Sequence, residues 1–239
     1  MRKPIALCNK NIFALFLLAI ISIAANAQSK IGKDFLLGRF DYTKDTSFIK
    51  VNGRYADNVT YLQKTTYAAY KKMYAAALKD GIKLNIISGT RSFDNQSSIW
   101  KAKWNDPQFA AIENTAARVT ELLRWSSMPG TSRHHWGTDM DLVTLQPEYF
   151  NTHAGKKMYA WMQKNAATYG FYQPFTADRE TGYKEEKWHW SYLPLSKLYL
   201  NEYVKQITYT DINGFDGYIA AEEIKAIDNW VLGVNLACK

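Results

Sequence analysis

One short stretch of the chain concentrates residues that bind metals and move protons. Residues 132–142 read Ser-Arg-His-His-Trp-Gly-Thr-Asp-Met-Asp-Leu and hold two of the chain's 4 histidines together with two aspartates. A hydrolytic zinc site uses three imidazole or carboxylate ligands and keeps a fourth position open for water. His134 and Asp141 supply two such ligands, and His189, in Glu-Glu-Lys-Trp-His-Trp, is the distant residue with similar company. These residue types predict a metal site built from two segments.

The spacing inside the first segment sets a condition on the backbone. Asp141 follows His134 by seven positions, so on a straight strand the two side chains would point to opposite faces. A bend at Gly137 would let them converge. His135 would project away from His134 in an extended chain and is the alternative ligand, while Asp139 shares a face with Asp141. The spacing alone leaves open which aspartate binds the metal and which one orients an imidazole.

The second segment offers a general base. Metal-dependent hydrolysis needs a proton acceptor beside the water, commonly a Glu that is not itself a ligand. Glu186 precedes His189 by three residues and Glu185 by four, so either carboxylate could serve. The alternative is that both face solvent on an edge strand. Trp188 flanks His189 and would restrict the access of water, and we expect Trp136 to line the same cleft.

The first segment resembles a known family signature. Residues 132–141 match the Ser-x-His-x-x-Gly-x-x-x-Asp pattern of the LAS metallopeptidases, a group named for lysostaphin, D-Ala-D-Ala peptidases and sonic hedgehog. The chain is most similar to D-alanyl-D-alanine carboxypeptidases of the VanY type. The resemblance implies that His134, Asp141 and His189 bind Zn²⁺. It gives His135 no role.

Two further motifs, in the same order along the chain, resemble those of this family. Its Glu-Pro-Trp-His motif falls on residues 186–189, which implies that Glu186 is the base. Its Ser-Gly-Tyr-Arg-Ser motif, with a Gln a few residues on, falls on residues 88–92 and Gln96. The resemblance implies that Arg91 stabilises the oxyanion or pairs with the terminal carboxylate of the substrate. The residues that depart from the family's usual ones, without removing a ligand or the base, are Thr90, Asp139 and Lys187.

The resemblance covers about residues 60–200 and implies zinc-dependent hydrolysis of peptidoglycan stem peptides, with release of C-terminal D-alanine. The alternatives are L,D-carboxypeptidase or endopeptidase activity on the same scaffold, and a non-catalytic, zinc-stabilised module that binds the cell wall. An intact Glu186 argues against the last, because a structural site needs no base and is usually closed by four protein ligands. The residues expected to contact substrate are Arg91, Gln96, Ser132, Trp136 and Trp188.

Periodic patterns predict the elements that carry these motifs. Apolar residues at spacings of three and four, with caps and breakers, predict helices over residues 56–80, 94–104, 106–125 and 155–169. Strand patterns cover residues 83–87, 138–143 and 184–192. This order predicts an α+β fold with helices packed around a small sheet. The resemblance implies that the sheet is antiparallel and the fold hedgehog-like or D,D-peptidase-like.

The first residues predict export. Arg2, Lys3 and Lys10 precede an apolar run over residues 12–25, and Ala-Asn-Ala at 25–27 provides small residues for a signal peptidase. The run of about 14 residues is shorter than the roughly 20 that span a membrane. We therefore expect a signal peptide over residues 1–27 and a single catalytic domain over residues 28–239. The predicted location is the periplasm or cell envelope, without stable membrane insertion.

Composition narrows the remaining possibilities. The chain has 239 residues, 47% of them hydrophobic, which suits one globular domain. Its lysines and arginines are scattered rather than striped, so we expect no nucleic-acid partner. We also expect the protein to be a monomer. Residues 196–239 carry two further helical patterns and predict a helical C-terminal extension. Residues 211–217 resemble a calcium loop only superficially and are interpreted as a turn.

Overall fold

The computed structural model describes residues 31–239, so the signal peptide predicted over residues 1–27 lies outside the described residues. Within residues 32–239, which form one unit, short strands make two antiparallel sheets. The strands are β1 (Phe48–Lys50), β2 (Tyr61–Gln63), β3 (Ile86–Ser88), β4 (Asp139–Leu142), β5 (Phe171–Tyr172) and β6 (His189–Tyr192). β1 pairs with β2, and the larger sheet has the order β3-β4-β6-β5.

Helices surround the larger sheet, as the α+β prediction required. The α-helices of the described region are α1 (Lys33–Leu36), α2 (Lys64–Lys79), α3 (Phe93–Trp104), α4 (Pro107–Ala110), α5 (Thr115–Leu122), α6 (His153–Asn165) and α7 (Leu193–Gln206). The side chain of Ser92 caps α3 by accepting a hydrogen bond from the Asn95 amide, and Asp106 caps α4 ahead of a Pro at its first position. Within residues 31–239, no helix combines the length and apolar character that crossing a bilayer requires.

The period of two along β4 and β6 separates a core face from a site face. Met140 and Trp190, paired across the two strands, lie in the apolar core. They pack there with a stripe of α2 whose residues recur at spacings of three and four: Tyr67, Tyr70, Tyr74 and Ala77. Tyr70 of that stripe is fully buried and donates its hydroxyl to the Leu84 carbonyl at 2.6 Å. Their neighbours along the two strands, which include Asp139, Asp141 and His189, point to the opposite face. That face is also buried, so its polar groups must find partners.

Several predicted boundaries were wrong, each for a local reason. The helix predicted over residues 56–80 begins only at Lys64, because residues 61–63 pair with β1. The helix predicted over residues 106–125 is two helices, since the Asn114 side chain accepts from the Ala117 amide and starts α5 afresh. The strand predicted over residues 184–192 is confined to β6, and the chain before it forms a loop.

The C-terminal extension is less regular than its patterns predicted. After α7, residues 207–239 form short 3-10 turns and one π turn rather than a second α-helix. In the loop that superficially resembles a calcium site, the Asp211 carboxylate accepts from the Lys33 ammonium at 2.8 Å. Asp211 therefore joins the extension to α1, in agreement with its interpretation as part of a turn.

Candidate metal centre and active site

The site begins with the pairing of β4 and β6. Asp141 lies opposite His189 in this antiparallel pair, and directly opposite residues share a face of the sheet. His134 comes from a 3-10 turn, Arg133–Trp136, which ends at Gly137 with φ 67°. This left-handed glycine bends the chain into β4, as the spacing of His134 and Asp141 required. The ligand atoms of His134, Asp141 and His189 all lie within 4.8 Å of one another.

Hydrogen bonds determine which nitrogen of His134 faces the site. Its Nδ1 lies 2.7 Å from the Gly89 carbonyl oxygen and must carry the proton, because a carbonyl can only accept. Nε2 is therefore unprotonated and carries a lone pair, and it lies 3.4 Å from Oδ2 of Asp141. Neither His134 Nε2 nor Asp141 Oδ1 has a hydrogen-bond partner among the described residues, although both are buried. Buried acceptors without donors are costly, and a bound cation satisfies them.

His189 presents its other nitrogen. Nε2 lies 2.9 Å from Oδ2 of Asp139, so Nδ1 faces the site, 3.2 Å from Oδ1 of Asp141. Burial alone would lower the pKa of His189, but the neighbouring carboxylates of Asp139, Asp141 and Glu186 outweigh burial and raise the pKa well above its ordinary value. Acceptors that favour a proton on Nδ1 also favour a metal cation there. The donor set thus fits a zinc-type ion with two imidazoles and one carboxylate.

Asp139 lies behind His189 in a dense polar network. Its carboxylate accepts from Nε of Arg133 at 2.9 Å and from the hydroxyls of Ser191 and Thr138 at 2.9 and 2.7 Å. Burial would raise the pKa of Asp139, yet the Arg133 guanidinium and the His189 ring outweigh it and hold the pKa below the ordinary range. With both oxygens engaged away from the ligand atoms, Asp139 is placed to orient His189.

The two glutamates before β6 have different surroundings. The Glu186 carboxylate lies 3.3 Å from Nδ1 of His189, and its side chain is 17% exposed. The Glu185 carboxylate instead lies 3.4 Å from the Tyr159 hydroxyl and 3.7 Å from the Lys187 ammonium. Glu186 therefore borders the candidate metal site and Glu185 does not, a distinction that spacing alone had left open.

Arg91 extends into the site from the loop after β3. Its Nη2 lies 3.7 Å from Oδ2 of Asp141, and its Nη1 donates to Oε1 of Gln96 at 3.1 Å. Gln96 is fully buried and donates in turn to the Ser127 carbonyl at 2.8 Å. Burial lowers the pKa of Arg91, an effect that Asp141 and Glu186 oppose. Gln96 was expected to contact substrate, but it is not among the residues that line the cavity and instead holds Arg91 from behind.

Two side chains after His134 turn away from the site: the alternative ligand His135, and Trp136, whose expected place in the cleft was wrong. His135 has both ring nitrogens engaged away from the site, Nδ1 with the Arg91 carbonyl at 2.8 Å and Nε2 with the Gly130 amide at 3.1 Å. Burial lowers the pKa of His135 to about 3, so the ring is neutral and structural. Trp136 does not line the cleft: it is fully buried, and its indole donates to the Leu36 carbonyl at 3.0 Å. Both side chains follow the 3-10 turn inward.

A cavity of about 1160 Å³ opens above the ligand atoms. Ser132 and Trp188, both predicted to contact substrate, line its wall. Sequence reasoning missed the loop between β5 and β6, which adds Phe175 and Tyr183. The Phe175 ring lies 4.7 Å from the His189 ring, centroid to centroid, and burial raises the pKa of Tyr183 to about 12. Aromatic residues in a loop without periodicity carry no local signal of this role.

The chain also shares sequence with characterised families. Residues 59–195 match the family model described as VanY: D-alanyl-D-alanine carboxypeptidase. YodJ of Bacillus subtilis (strain 168), named as a candidate carboxypeptidase, is 31% identical over 141 residues, which cover 56% of this chain and 46% of YodJ. A D-alanyl-D-alanine carboxypeptidase of Enterococcus faecalis (strain ATCC 700802 / V583) is 27% identical over 132 residues, 53% of this chain and 47% of the relative. The chain thus spans about half the length of the curated relatives it matches.

Solved structures show the same fold. VanYB in complex with D-alanine-D-alanine has a TM-score of 0.52 at 22% identity and covers 71% of this chain and 93% of its own. A zinc-bound mutant of the vancomycin resistance D,D-pentapeptidase VanY has a TM-score of 0.51 at 22% identity, with 64% and 82% covered. At this identity the likeness concerns the fold. The family match, in contrast, spans more than half of the chain and includes every ligand position described above, and the chain therefore belongs to the VanY family of D-alanyl-D-alanine carboxypeptidases.

Proposed function

We propose that this protein is a zinc peptidase that hydrolyses peptidoglycan stem peptides and releases their C-terminal D-alanine. The observation that carries the proposal is the convergence of His134, Asp141 and His189 within 4.8 Å, beside a Glu186 carboxylate that is 3.3 Å from one ligand atom. Three ligands with an adjacent carboxylate match the composition of a hydrolytic zinc site. Membership of the VanY family supports peptidoglycan stem peptides as the substrate, and a protein of similar fold has been solved with Zn(II).

Each residue has a distinct part in the proposed mechanism. Bound zinc would supply Lewis acidity, which polarises the scissile carbonyl and lowers the pKa of a water molecule. Glu186 takes the proton of the attacking water and returns it to the leaving amine. Asp139 fixes the ring of His189 by accepting from Nε2, which keeps the lone pair of Nδ1 directed at the site.

Arg91 supplies the positive charge that the reaction needs on the substrate side. Its guanidinium is anchored by Gln96, lies 3.7 Å from the Asp141 carboxylate and lines the cavity. Nε is buried and has no hydrogen-bond partner within residues 31–239. From this position Arg91 can donate to a tetrahedral oxyanion or to a terminal carboxylate. These two roles make different predictions for amidated substrates.

We also propose that residues 1–27 direct export and that the protein acts as a monomer in the cell envelope. The basic, apolar and small-residue regions of this segment support export, and peptidoglycan is present only in the envelope. Sequencing of the mature N-terminus should find Gln28 first. An intact Met1 on the mature protein would contradict cleavage.

One experiment tests the hydrolytic proposal and identifies the bond. Purified protein is incubated with a pentapeptide muropeptide, a tetrapeptide muropeptide and a cross-linked dimer, each with and without a zinc chelator, and the products are weighed. We expect chelator-sensitive loss of one alanine from the pentapeptide. Cleavage of the tetrapeptide or the cross-link alone would instead assign L,D-carboxypeptidase or endopeptidase activity. No cleavage by a zinc-loaded protein would favour a binding module.

A further inference from the structure

The chain beyond the family match folds back onto the cavity. The match ends at residue 195, and residues 232–239, named here the C-terminal segment, lie outside it. In this segment the Asn235 amide donates to the Pro174 carbonyl at 2.8 Å, where β5 leads into the cavity wall. Cys238, three residues on, is fully buried. The segment is therefore packed against the part of the molecule that forms the proposed substrate site.

The part of the cavity wall that the C-terminal segment contacts is residues 174–184, named here the cavity loop. It joins β5 to the approach of β6 and contributes Phe175, Thr176 and Tyr183 to the cavity lining. A loop of this length outside regular structure needs other contacts to hold one conformation, because ordering each residue costs roughly 1–2 kcal/mol of backbone entropy. A single arginine, Arg179, supplies several of those contacts.

Arg179 bonds the cavity loop to itself and to the C-terminal segment. Its Nε donates to the Thr176 carbonyl at 2.9 Å, and its Nη1 donates to the Thr181 carbonyl at 3.0 Å. The guanidinium also donates to the carbonyls of Tyr183 and Gly233. The planar fork of arginine suits such a set of acceptors, which a lysine ammonium would not match. Gly233 is the one acceptor that belongs to the C-terminal segment.

Two glycines let the backbones meet at this point. A Cβ on Gly182 would lie 2.2 Å from the Gly233 carbonyl oxygen, and a Cβ on Gly233 would lie 2.7 Å from the Gly182 Cα. Gly182 also has φ +95°, which side-chain-bearing residues rarely adopt. The cavity loop and the C-terminal segment thus touch main chain to main chain, with no room for a side chain between them.

Hydrogen bonds near this contact also reach the main chain of Glu186, the proposed base. The Gln173 side chain donates to the main-chain carbonyls of Phe175 and Glu186 at 3.0 and 3.1 Å. The Asn235 side chain lies 3.5 Å from the Gln173 carbonyl. Gln173 thus connects the C-terminal segment to the main chain that carries Phe175 and Glu186.

We propose that the C-terminal segment, joined through Arg179 and the Gly182–Gly233 contact, is a positioning element that holds the cavity loop in its substrate-binding conformation. Arg179 is then a positioning residue for Tyr183 and for the main chain of Glu186. The kinetic part of this inference rests on the proposed peptidase function, whereas the structural part does not. Hydrogen exchange and alkylation test the structural part, and enzyme kinetics tests the kinetic part.

The test compares Arg179→Ala and Gly182→Ala with matched controls in the full-length protein. Arg39→Ala removes another arginine that donates to carbonyls of the extension, those of Asp211 and Asn213, at a place that does not line the cavity. Gly214→Ala places an alanine at φ +89° with only one atom near its Cβ, Phe93 Cζ at 4.0 Å. Arg39→Ala is the control for Arg179→Ala, and Gly214→Ala is the control for Gly182→Ala. Each control makes the same substitution but leaves the contact between the cavity loop and the C-terminal segment intact.

Amide hydrogen exchange of residues 174–184 is the first readout, and alkylation of Cys238 followed by peptide mass spectrometry is the second. We expect both to rise about tenfold or more in Arg179→Ala and Gly182→Ala relative to the two controls, since exchange reports local opening. Equal exchange in Arg179→Ala and Arg39→Ala would overturn the proposal. These measurements remain decisive even if the wild-type protein hydrolyses no muropeptide, an outcome that would reject the proposed function alone.

Kinetics supplies the third readout. We expect Arg179→Ala and Gly182→Ala each to raise the KM for a pentapeptide muropeptide about tenfold, with zinc content retained, because displaced binding groups weaken substrate contacts. Arg179 itself lines the cavity, and Gly182→Ala keeps its side chain, so a rise in Arg179→Ala alone would indicate a lost direct contact and overturn the proposal. Arg179→Lys should recover part of this loss, since it keeps one donor group. An unchanged KM with a lowered melting temperature would show that the segment merely stabilises the fold and would also overturn the proposal.

Discussion

Nε2 of His189 lies 2.9 Å from Oδ2 of Asp139, and this contact makes Nδ1 the nitrogen that faces Asp141 and Glu186. Asp139 is held for this purpose by Arg133 and Ser191. An aspartate two residues from the proposed ligand Asp141 therefore serves the site without entering the ligand set. The arrangement has measurable consequences for metal binding.

Asp139→Asn should weaken zinc binding and lower stability. The neutral amide is a poorer partner for His189, and loss of such outer contacts typically costs about 10–100-fold in metal affinity. Arg133, whose side chain is 3% exposed, would lose its charged partner, which costs on the order of 3 kcal/mol for a buried pair. Zinc titration and urea unfolding measure the two effects. Ser191→Ala is the control: it removes a hydroxyl that contacts Asp139, Arg133 and Ser196 but keeps the Asp139 carboxylate on His189. We expect about 1–3 kcal/mol of destabilisation with zinc affinity largely retained.

Glu186→Gln should retain zinc and lose hydrolysis. The amide keeps the size of the side chain but cannot accept the water proton, so we expect kcat to fall by about 10²–10⁴-fold. Metal content by mass spectrometry and muropeptide turnover check both statements. Glu185→Gln is the matched control, because the Glu185 carboxylate lies near Tyr159 and Lys187 rather than His189. A comparable loss in Glu185→Gln would assign the base to the other glutamate or to both.

Arg91→Ala distinguishes the two roles of this arginine. If Arg91 pairs with the substrate's terminal carboxylate, the loss of kcat/KM should be at least tenfold greater on free than on amidated peptides. Equal losses on both would indicate stabilisation of the oxyanion instead. Gln96→Ala, which removes the partner of Nη1, should show the same preference with a smaller effect.

Adjacent histidines should respond differently to the same substitution. His134→Gln removes a ligand atom and should abolish zinc binding along with the rise in melting temperature that zinc produces. His135→Gln should keep zinc binding but lower stability, since His135 bridges the Arg91 carbonyl and the Gly130 amide. Calorimetric titration with zinc after treatment with a chelator measures the affinities. Loss of zinc in His135→Gln with retention in His134→Gln would reverse the ligand assignment.

The Cys238 thiol should be unreactive in the native protein. Burial raises the pKa of Cys238 to about 11, and only the thiolate is alkylated. At pH 8 the native thiolate fraction is about 100-fold smaller than in an unfolded chain, and the native rate should climb as pH rises towards 11. Iodoacetamide labelling with and without urea, resolved by peptide mass spectrometry, checks this. Equal rates in both conditions would show that the C-terminal segment is not packed as described.

Much of the fold followed from local sequence patterns. The stripe of Tyr67, Tyr70 and Tyr74 predicted the helix that packs on the sheet, because helical periodicity is a property of neighbouring residues. The ends of the elements were less predictable. Tyr61 belongs to β2 only because β1 lies beside it, and strand pairing depends on residues far apart in the chain.

Residue types and motif order, by themselves, were sufficient to indicate a metal hydrolase of this family, since imidazole, carboxylate and guanidinium groups limit the chemistry available. Spacing left Asp139 and Asp141 equivalent, and likewise Glu185 and Glu186, and the family motifs favoured Asp141 and Glu186. Only the tertiary structure gives the members of each pair their different hydrogen-bond and charge partners. It also buried Trp136 and brought Gly233 against Gly182. Contacts of this kind arise when distant segments pack together, and a local pattern does not encode them.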